Sequence, residues 1–293
     1  MKFKVDTFLT KDSKRIYYYI FGDTKATPIF FFHGYPGTGK QAMLLRDSHL
    51  QDEFYLISID RPGYGLSDPQ PGLTLKKFAD DVCALADFLG IEKFICMGVS
   101  GGGPFVASVA YYYPERVLKV GSICGVAPVT PGNLVYLNNK QKKTYFLKKF
   151  LPRRVMNFFV NKAFSELLAE LNNIMSSDLL SSKDKVVFQH PEIGPFFVDS
   201  FKEALAKGPA GILTDMEILT NPWGFELSDI KVPYHLWHGD EDDIVHYKMS
   251  YYMNRKLRDV KLNIYRGEGH YSLPYNYKNK VLEDLLKSED RTI

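Results

Sequence analysis

The sequence contains little cysteine and no long apolar run. Its three cysteines, an odd number among 293 residues, lie among apolar neighbours. Such cysteines do not build a disulfide framework, so we expect buried, reduced thiols and a cytoplasmic location. No stretch reaches the roughly 18 apolar residues that cross a bilayer, and the charged N-terminus lacks the apolar centre of a signal peptide. We therefore expect no stable membrane insertion.

An excess of one charge is also missing. The chain has 37 Lys and Arg against 34 Asp and Glu, which gives a formal net charge of +3. Proteins that bind nucleic acid usually carry a strong positive field, so this balance argues against a nucleic-acid partner. With 45% hydrophobic and 24% charged residues, the composition is typical of a globular chain with a large core. We expect a small-molecule partner, and the composition is compatible with a homodimer.

Short apolar runs alternate with helical periodicity along most of the chain. The first two runs are rich in aromatic and β-branched residues and flank a turn, which predicts an antiparallel hairpin. The later runs are apolar on both faces, which is typical of a parallel sheet covered by helices on both sides. The predicted strands are Phe3–Leu9, Lys14–Phe21, Pro28–Phe32, Phe54–Ile59, Lys93–Val99, Val117–Cys124, Pro233–His238 and Lys261–Tyr265. The predicted helices are Gln41–Leu50, Leu75–Leu89, Gly102–Tyr113, His246–Leu257 and Tyr277–Leu286. These patterns predict an α/β fold.

The alternation stops near Pro128 and resumes near Val232. Between these positions the sequence has helical patches interrupted by prolines, at Phe146–Leu151, Val155–Ile174 and Phe196–Lys207. An interruption followed by a return to the same pattern predicts one discontinuous domain with an insertion. We expect residues 1–127 and 226–293 to form the core domain, and residues 128–225 to form a helical cap.

The strongest chemical motif is Gly98-Val99-Ser100-Gly101-Gly102, between an apolar strand and a helix. A serine at such a sharp turn needs small neighbours, and its hydroxyl stands above a helix N-terminus. We therefore interpret Ser100 as a nucleophile. The alternative is a phosphate-binding loop, but neither a Gly-Lys-Ser/Thr ending nor the spacing of a dinucleotide loop is present. The segment 37–41 also lacks the required Ser or Thr.

A second motif, His33-Gly34-Tyr35-Pro36-Gly37, directly follows the strand that ends at Phe32. Acyl transfer needs two backbone donors at the developing oxyanion, and a loop beside the nucleophile can supply one of them. We assign these donors to the N–H groups of Tyr35 and Gly101. We expect the His33 side chain to brace the loop, together with Gly34, by hydrogen bonding.

The third motif joins an acidic loop to a histidine. A serine hydroxyl is a weak nucleophile, so it needs a base and a carboxylate that orients the base. The chain order Ser100, Asp242, His270 matches this requirement. Asp240 and Asp243 remain alternatives for the acid, although we expect them to be solvated loop charges. Two other histidines have structural interpretations, as a loop brace and as a helix-start residue, at His238 and His246 respectively.

These motifs together resemble the α/β-hydrolase superfamily, in particular its capped branch of esterases, proline iminopeptidases and epoxide hydrolases. The matching segments are HGYPG, the Asp60–Ser67 turn DRPGYGLS, GVSGG, HGDEDDIV and GEGH, spread in order over the core. The resemblance implies an eight-stranded, mostly parallel sheet, no metal and no organic cofactor. Epoxide hydrolases carry an aspartate nucleophile, and proline iminopeptidases usually have Trp after the nucleophile. Ser100 and Gly101 depart from these two patterns.

The start of the expected cap is basic and aromatic. Seven basic residues and no acidic one lie between positions 140 and 154, at Lys140, Lys142, Lys143, Lys148, Lys149, Arg153 and Arg154. Apolar side chains interleave with them, which is compatible with an amphipathic element for anionic substrates or lipid surfaces. We favour a solvated outer face whose apolar side packs onto the core. Other aromatic residues are expected to line an acyl pocket or to fill the core, namely Phe158, Phe159, Phe196, Phe197 and Trp223.

From these observations we expect a serine hydrolase that cleaves a small ester, thioester or amide through an acyl-enzyme. A carboxylesterase is favoured, and an aminopeptidase of the proline iminopeptidase type is the next candidate. A non-catalytic ligand-binding protein on the same fold is the alternative from another class. A lyase that uses the same residues is a further one.

Overall fold

The computed structural model describes residues 4–287 apart from 153, 157, 163, 165–177 and 179. Its sheet has eight strands in the order β1-β2-β4-β3-β5-β6-β7-β8. The first hairpin and the β2–β4 pair are antiparallel, and the other neighbouring strands are parallel. The predicted α/β class with a mostly parallel, eight-stranded sheet is confirmed. The strands are β1 Lys4–Leu9, β2 Arg15–Phe21, β3 Thr27–Phe32, β4 Phe54–Ile59, β5 Phe94–Val99, β6 Val117–Ile123, β7 Tyr234–Gly239 and β8 Val260–Tyr265.

The central strands are apolar on both faces because both faces are covered. Every residue of β4 and β7 is buried. In β3, Phe30 and Phe32 contact the cluster on one face, whereas Ile29 and Phe31 contact the cluster on the other. This alternation follows from the two-residue period of a strand, so a continuous apolar run predicts a doubly covered position.

The α-helices with both ends in the described residues are α1 Leu75–Phe88, α2 Gly103–Tyr112, α3 Asn139–Phe150, α4 Ser182–Gln189, α5 Ile193–Leu205, α6 Ala210–Thr220, α7 Lys248–Lys256, α8 Ser272–Asn276 and α9 Lys278–Leu286. Helices α1, α2 and α7 cover one face of the sheet, and α9 covers the other. None of the helices in the described part of the chain has the length and apolarity to cross a membrane. All three cysteines are buried free thiols.

The predicted helix Gln41–Leu50 is wrong in type. Residues Gly39–Leu45 form a 3₁₀ helix, which packs Ala42 and Leu45 against the sheet. The chain then turns at Ser48, whose hydroxyl accepts a hydrogen bond from the N–H of Leu50 at 3.1 Å. Such a local side-chain bond competes with helical continuation, which the apolar pattern alone did not reveal.

Helices α3 to α6 lie between β6 and β7, within residues 128–225, here called the cap segment. Helix α3 begins before the predicted patch Phe146–Leu151 because Asn138 and Gln141 form a capping box. The patch Phe196–Lys207 corresponds to α5, whereas α4 and α6 were not predicted. The patch Val155–Ile174 lies for the most part outside the described residues. The division into core and cap at 127 and 226 stays a prediction.

Candidate active site

Ser100 lies at the turn between β5 and α2 with a backbone φ of 54°. This left-handed conformation is unusual for a non-glycine residue and requires crowding to be relieved nearby. A Cβ atom at Gly98 would lie 2.9 Å from the carbonyl oxygen of Gly102. A Cβ at Gly102 would collide with the carbonyl oxygen of Phe32. Glycine at both positions therefore permits the turn that presents Ser100.

The loop after β3 lies directly against this turn. A Cβ atom at Gly101 would lie 2.5 Å from Cβ and 3.2 Å from the amide nitrogen of Tyr35. The amide of Gly34 is held by the side chain of Gln41, whose Oε1 accepts its hydrogen bond at 2.8 Å. In the described residues, no carbonyl or side chain accepts a hydrogen bond from the N–H of Tyr35. The two predicted oxyanion donors are thus adjacent, and the one on Tyr35 is free.

His33 is buried and braces the same loop. Its Nδ1 lies 2.8 Å from the carbonyl of Gly34, so Nδ1 carries the proton, and its Nε2 accepts from the N–H of Arg61 at 3.1 Å. Burial, followed by the positive charge of Arg61, holds the pKa of His33 well below its usual value. Both ring nitrogens of this neutral imidazole are occupied by hydrogen bonds, as expected for a residue that holds the loop in place.

Arg61 links this loop to the cap segment. Its guanidinium donates to the carbonyls of His33 and Gly34 and, at 2.5 Å, to the carboxylate of Asp215 on α6. The Arg61 and Asp215 side chains are only 1% and 2% exposed. Burial raises the pKa of Asp215 above its usual value, and the positive charge of Arg61 offsets only part of this rise. Arg61 belongs to the DRPGYGLS turn, but no pattern in the sequence indicates its partner 154 residues away.

The predicted base and acid are hydrogen-bonded to each other. Nδ1 of His270 lies 2.7 Å from Oδ2 of Asp242, and both residues are buried. Asp242 Oδ1 accepts from the N–H groups of Ile244 and Val245, at 2.9 and 2.8 Å. Burial favours the neutral acid, but His270 and His238 outweigh it and lower the pKa of Asp242. Asp242 is therefore an ionised acceptor.

The Asp242 carboxylate also changes His270. Burial lowers the pKa of His270, but the negative charge of Asp242, with a smaller contribution from Asp184, raises it above the usual 6.5. With Nδ1–H directed at Asp242, the lone pair of the neutral imidazole is on Nε2. Ser100 and His270 line one cavity, although the serine hydroxyl and the imidazole are not hydrogen-bonded to each other in this structure.

His238 is a second partner of Asp242. Its Nε2 lies 2.7 Å from the carbonyl of Val245 and 3.1 Å from Asp242 Oδ2. A carbonyl only accepts, so Nε2 carries a proton, and Nδ1 lies 2.6 Å from Ser250 Oγ. The loop brace expected of His238 thus extends to the carboxylate. Of the competing acids, Asp240 accepts from the N–H of Gly267 at 2.6 Å, and Asp243 is exposed.

Asp184, at the start of α4, holds the loop that carries His270. Its carboxylate accepts from the N–H groups of His270, Tyr271 and Ser272, at 3.0, 2.8 and 2.7 Å. These N–H groups open α8 and would otherwise be unpaired, so the carboxylate caps a second helix besides its own. Sequence reasoning missed Asp184. The Ser181–Asp184 spacing signals a helix start, but no local pattern identifies the distant loop that it contacts.

One described cluster could hold a metal, formed by Cys124, His238 and Asp242. Burial raises the pKa of the Cys124 thiol well above its usual value, so this sulfur stays protonated. The Nε2 of His238 is protonated toward the Val245 carbonyl, as described above, and Asp242 accepts four hydrogen bonds. The donor set is therefore committed to internal hydrogen bonds, and the absence of a metal stays a prediction.

Two cavities meet at Ser100. The smaller, of about 40 Å³, includes His270, Phe197 and Phe201. The larger, of about 270 Å³, is lined by the β6–α3 connection, α3, α6 and the loop after β7. The described residues that line either cavity include no Asp or Glu.

The aromatic and basic residues of the cap segment are distributed differently from the expectation. Phe197 lines the smaller cavity, whereas Trp223 is in the core and Phe158 and Phe159 are 65% and 51% exposed. No residue of α3 is fully buried, and Phe150 is 72% exposed. The favoured expectation that the apolar side of the basic stretch packs onto the core is therefore wrong. Polar residues of α3 line the larger cavity instead, and Arg153 lies outside the described residues.

Comparisons with known proteins agree with this architecture. The family model of the α/β hydrolase fold matches residues 27–277. A bifunctional esterase/perhydrolase of Acinetobacter calcoaceticus is 25% identical over 284 residues, which cover 94% of this chain and 96% of that protein. An esterase structure from Exiguobacterium antarcticum superposes with a TM-score of 0.74 at 17% identity, covering 96% of this chain and 99% of that one. A bromoperoxidase structure from Bacillus anthracis gives 0.74 at 20% identity, covering 98% and 100%. At these identities the two structures establish a shared fold.

Proposed function

The chain belongs to the α/β hydrolase fold family, and we propose that it is a serine hydrolase that cleaves carboxylic esters through an acyl-enzyme. One observation carries the proposal. Ser100, in a left-handed turn with φ of 54°, lines the same cavity as His270. The Nδ1 atom of His270 is hydrogen-bonded to the ionised Asp242 at 2.7 Å. Nucleophile, base and orienting acid are the groups that acyl transfer requires.

The proposed reaction starts with attack of Ser100 Oγ on the ester carbonyl carbon. His270 Nε2 takes the hydroxyl proton while Nδ1–H remains directed at Asp242. Because no hydrogen bond joins Ser100 to His270 in this structure, the contact has to close when substrate binds, as in many unliganded enzymes. The N–H groups of Tyr35 and Gly101 stabilise the oxyanion. His270 then protonates the leaving alcohol, and afterwards activates water to release the acid.

A relative of nearly the same length supports an ester as the substrate. The Acinetobacter protein, which matches nearly the whole chain, is named an esterase/perhydrolase. An aminopeptidase would need to bind the charged amino terminus of its substrate, for which a carboxylate is the usual partner. The described cavity-lining residues include no carboxylate, so the aminopeptidase alternative has no amine-binding group there.

The test is covalent labelling with a fluorophosphonate, which reacts with activated serines. We expect the wild-type protein to be labelled, Ser100→Ala not to be labelled, and His270→Ala to react at least about 100-fold more slowly. Ser228→Ala, outside both cavities, is the matched control and should react like wild type. A folded wild-type protein that is never labelled would contradict the proposal and favour the non-catalytic ligand-binding protein.

A panel of ethyl esters and aminoacyl methylamides then separates the two hydrolase alternatives. We expect hydrolysis of the esters and no cleavage of the methylamides. Faster turnover of a methylamide with a free amino terminus than of its N-acetylated form would instead establish the aminopeptidase.

A further inference from the structure

The two cavities beside Ser100 are chemically and sterically unequal. Only two residues, Tyr35 and Ser100, line both of them in the described part of the chain. His270 lines the smaller cavity and not the larger one. The scissile bond of a bound ester must lie at their junction, because Ser100 is there. The acyl part and the alcohol part then extend into different cavities.

The position of His270 decides which part enters which cavity. In the proposed reaction, the bond from Ser100 Oγ to the carbonyl carbon forms and the bond to the alcohol oxygen breaks. The proton removed from Ser100 travels through His270 Nε2 to that leaving oxygen, so the alcohol part lies against His270. The alcohol therefore occupies the smaller cavity. The acyl chain occupies the larger one, where Gly101 supplies its N–H to the oxyanion.

The sizes of the cavities then set the size of each part. A cavity needs about 10–15 Å³ to hold one water, so the smaller cavity of about 40 Å³ has room for about three water-sized groups. Phe197 and Phe201 from α5, together with Tyr271, bound it. These rings also contact one another, with Phe197 and Tyr271 centroids 5.2 Å apart, so the wall is not easily displaced. An alcohol of one to three heavy atoms is the class that fits.

The larger cavity has 270 Å³ and a largely apolar lining that includes Val129, Leu137, Met216, Leu219 and Ile244. It has room for about twenty water-sized groups, which accommodates an acyl chain of about six to twelve carbons. An apolar lining of this size gains binding free energy with every methylene that leaves water. Short acyl groups would leave most of the cavity unfilled.

We propose that the substrates of this site are esters of a medium-chain apolar carboxylic acid with a small alcohol. This inference rests on the proposed serine-esterase function and adds the substrate class. The acyl chain extends under α3 and α6 of the cap segment, and the alcohol lies beside His270 under α5.

Two ester series test the assignment. With ethyl esters from acetate to dodecanoate, we expect kcat/KM to rise about two- to fourfold per methylene up to about eight carbons. With octanoate esters from methyl to octyl alcohol, we expect kcat/KM to fall at least about tenfold once the alcohol exceeds the smaller cavity. The reversed pattern, with tolerance of long alcohols and a preference for acetate, would overturn the assignment.

A substitution in each cavity localises the effect. Leu219→Trp fills part of the larger cavity and should lower the ratio of kcat/KM for ethyl octanoate to that for ethyl acetate at least about tenfold. Leu147→Trp, on α3 but in neither cavity lining, is the matched control and should leave this ratio unchanged. Leu44→Ala, in the smaller cavity, should raise the relative rate of butyl over methyl octanoate. Equal responses of both series to Leu219→Trp would contradict the assignment.

The outcomes also separate this inference from the proposed function. If Ser100 is labelled by the fluorophosphonate and kcat/KM for esters does not depend on acyl length, the proposed hydrolase function stands and the substrate class is refuted. Absence of both labelling and hydrolysis would refute the hydrolase itself, and the substrate class with it.

Discussion

Carboxylates in two regions of the molecule act on the same site in different ways. In the core, Asp242 follows β7 and is bonded to two imidazoles, so it changes protonation and orientation of the groups proposed for the chemistry. In the cap segment, Asp184 and Asp215 accept hydrogen bonds from backbone amides and from a guanidinium. They do not face the proposed reaction. The proposed catalytic residues thus lie at strand ends, whereas some of the groups that hold them in position come from the cap segment.

Helices of the cap segment hold two loops that carry proposed site residues. Helix α4 reaches the His270 loop twice, through Asp184 and through Lys183, whose amine lies 2.5 Å from the carboxylate of Glu268. Helix α6 reaches the loop after β3 through Asp215 and Arg61, whose guanidinium donates to the carbonyl of Gly34. Because α5 lines the smaller cavity and α3 and α6 line the larger one, the cap segment both borders the cavities and supports the proposed catalytic residues.

The largest effect is expected from Asp242→Asn. Loss of the carboxylate removes the group that fixes the His270 tautomer, so kcat for ester hydrolysis should fall about 10³- to 10⁴-fold. Steady-state kinetics measure it. Asp240→Asn is the control, because Asp240 lies in the same loop but accepts from the N–H of Gly267 rather than from an imidazole; its kcat should fall less than about threefold. An equal loss of kcat in both variants would mean that Asp242 has no special role among the acids of this loop. The proposed difference between Asp242 and the carboxylates of the cap segment would then not hold.

Asp215→Asn is expected to destabilise the whole protein. It leaves the guanidinium of Arg61 buried without its counter-charge, which typically costs about 3–5 kcal/mol. Urea unfolding measures the change in the free energy of unfolding. The pair of Lys280 and Asp284 at the surface, with side chains 47% and 21% exposed, is the control, since Asp284→Asn should change stability by less than about 1 kcal/mol. Similar values for the two variants would mean that α6 is not anchored through this pair.

Asp184→Asn should affect the catalytic step more than substrate binding. The amide loses charge-assisted hydrogen bonds to the His270 loop, so we expect a loss of about 1–3 kcal/mol in stability and a fall in kcat of about 10- to 100-fold. KM should change by less than about threefold. Asp199→Asn, exposed on the neighbouring helix α5, is the control. A pure stability loss with normal kcat at low temperature would reduce Asp184 to a structural cap.

The pH dependence of kcat/KM should report the pKa of His270. The base must be neutral, and its pKa is raised above 6.5, so activity should fall on the acid side of a midpoint above that value. Removal of a negative charge favours the neutral imidazole. The residual activity of Asp184→Asn should therefore show its acid limb at a lower pH than wild type. A shift to higher pH would contradict the electrostatic link between α4 and His270.

The smallest effect is expected on the outer face of α3. Phe150 is 72% exposed, so Phe150→Ser should change the free energy of unfolding by less than about 0.5 kcal/mol. Phe105→Ser, on a ring buried in the core, should cost more than about 3 kcal/mol in the same thermal or urea experiment. A large decrease in the free energy of unfolding for Phe150→Ser would mean that α3 packs like a core helix. The core and the cap segment would then differ less than described.

The sequence by itself determined the sheet, because a strand covered on both faces must be apolar at every position and a two-residue period makes that visible. It also determined the positions of Ser100, Asp242 and His270, since each follows a strand within a short motif whose backbone geometry is local. Their catalytic roles remain predictions for the labelling and kinetic experiments.

Only the tertiary structure decided which distant groups support them. Asp184 contacts the amide of His270 across 86 residues, and Arg61 pairs with Asp215 across 154, and no local periodicity encodes either pairing. The sequence pattern likewise does not predict that the aromatic side chains of α3 are exposed or that the two cavities differ in size. Helical periodicity predicts which side chains share a face of a helix, but what that face meets depends on how the whole chain packs.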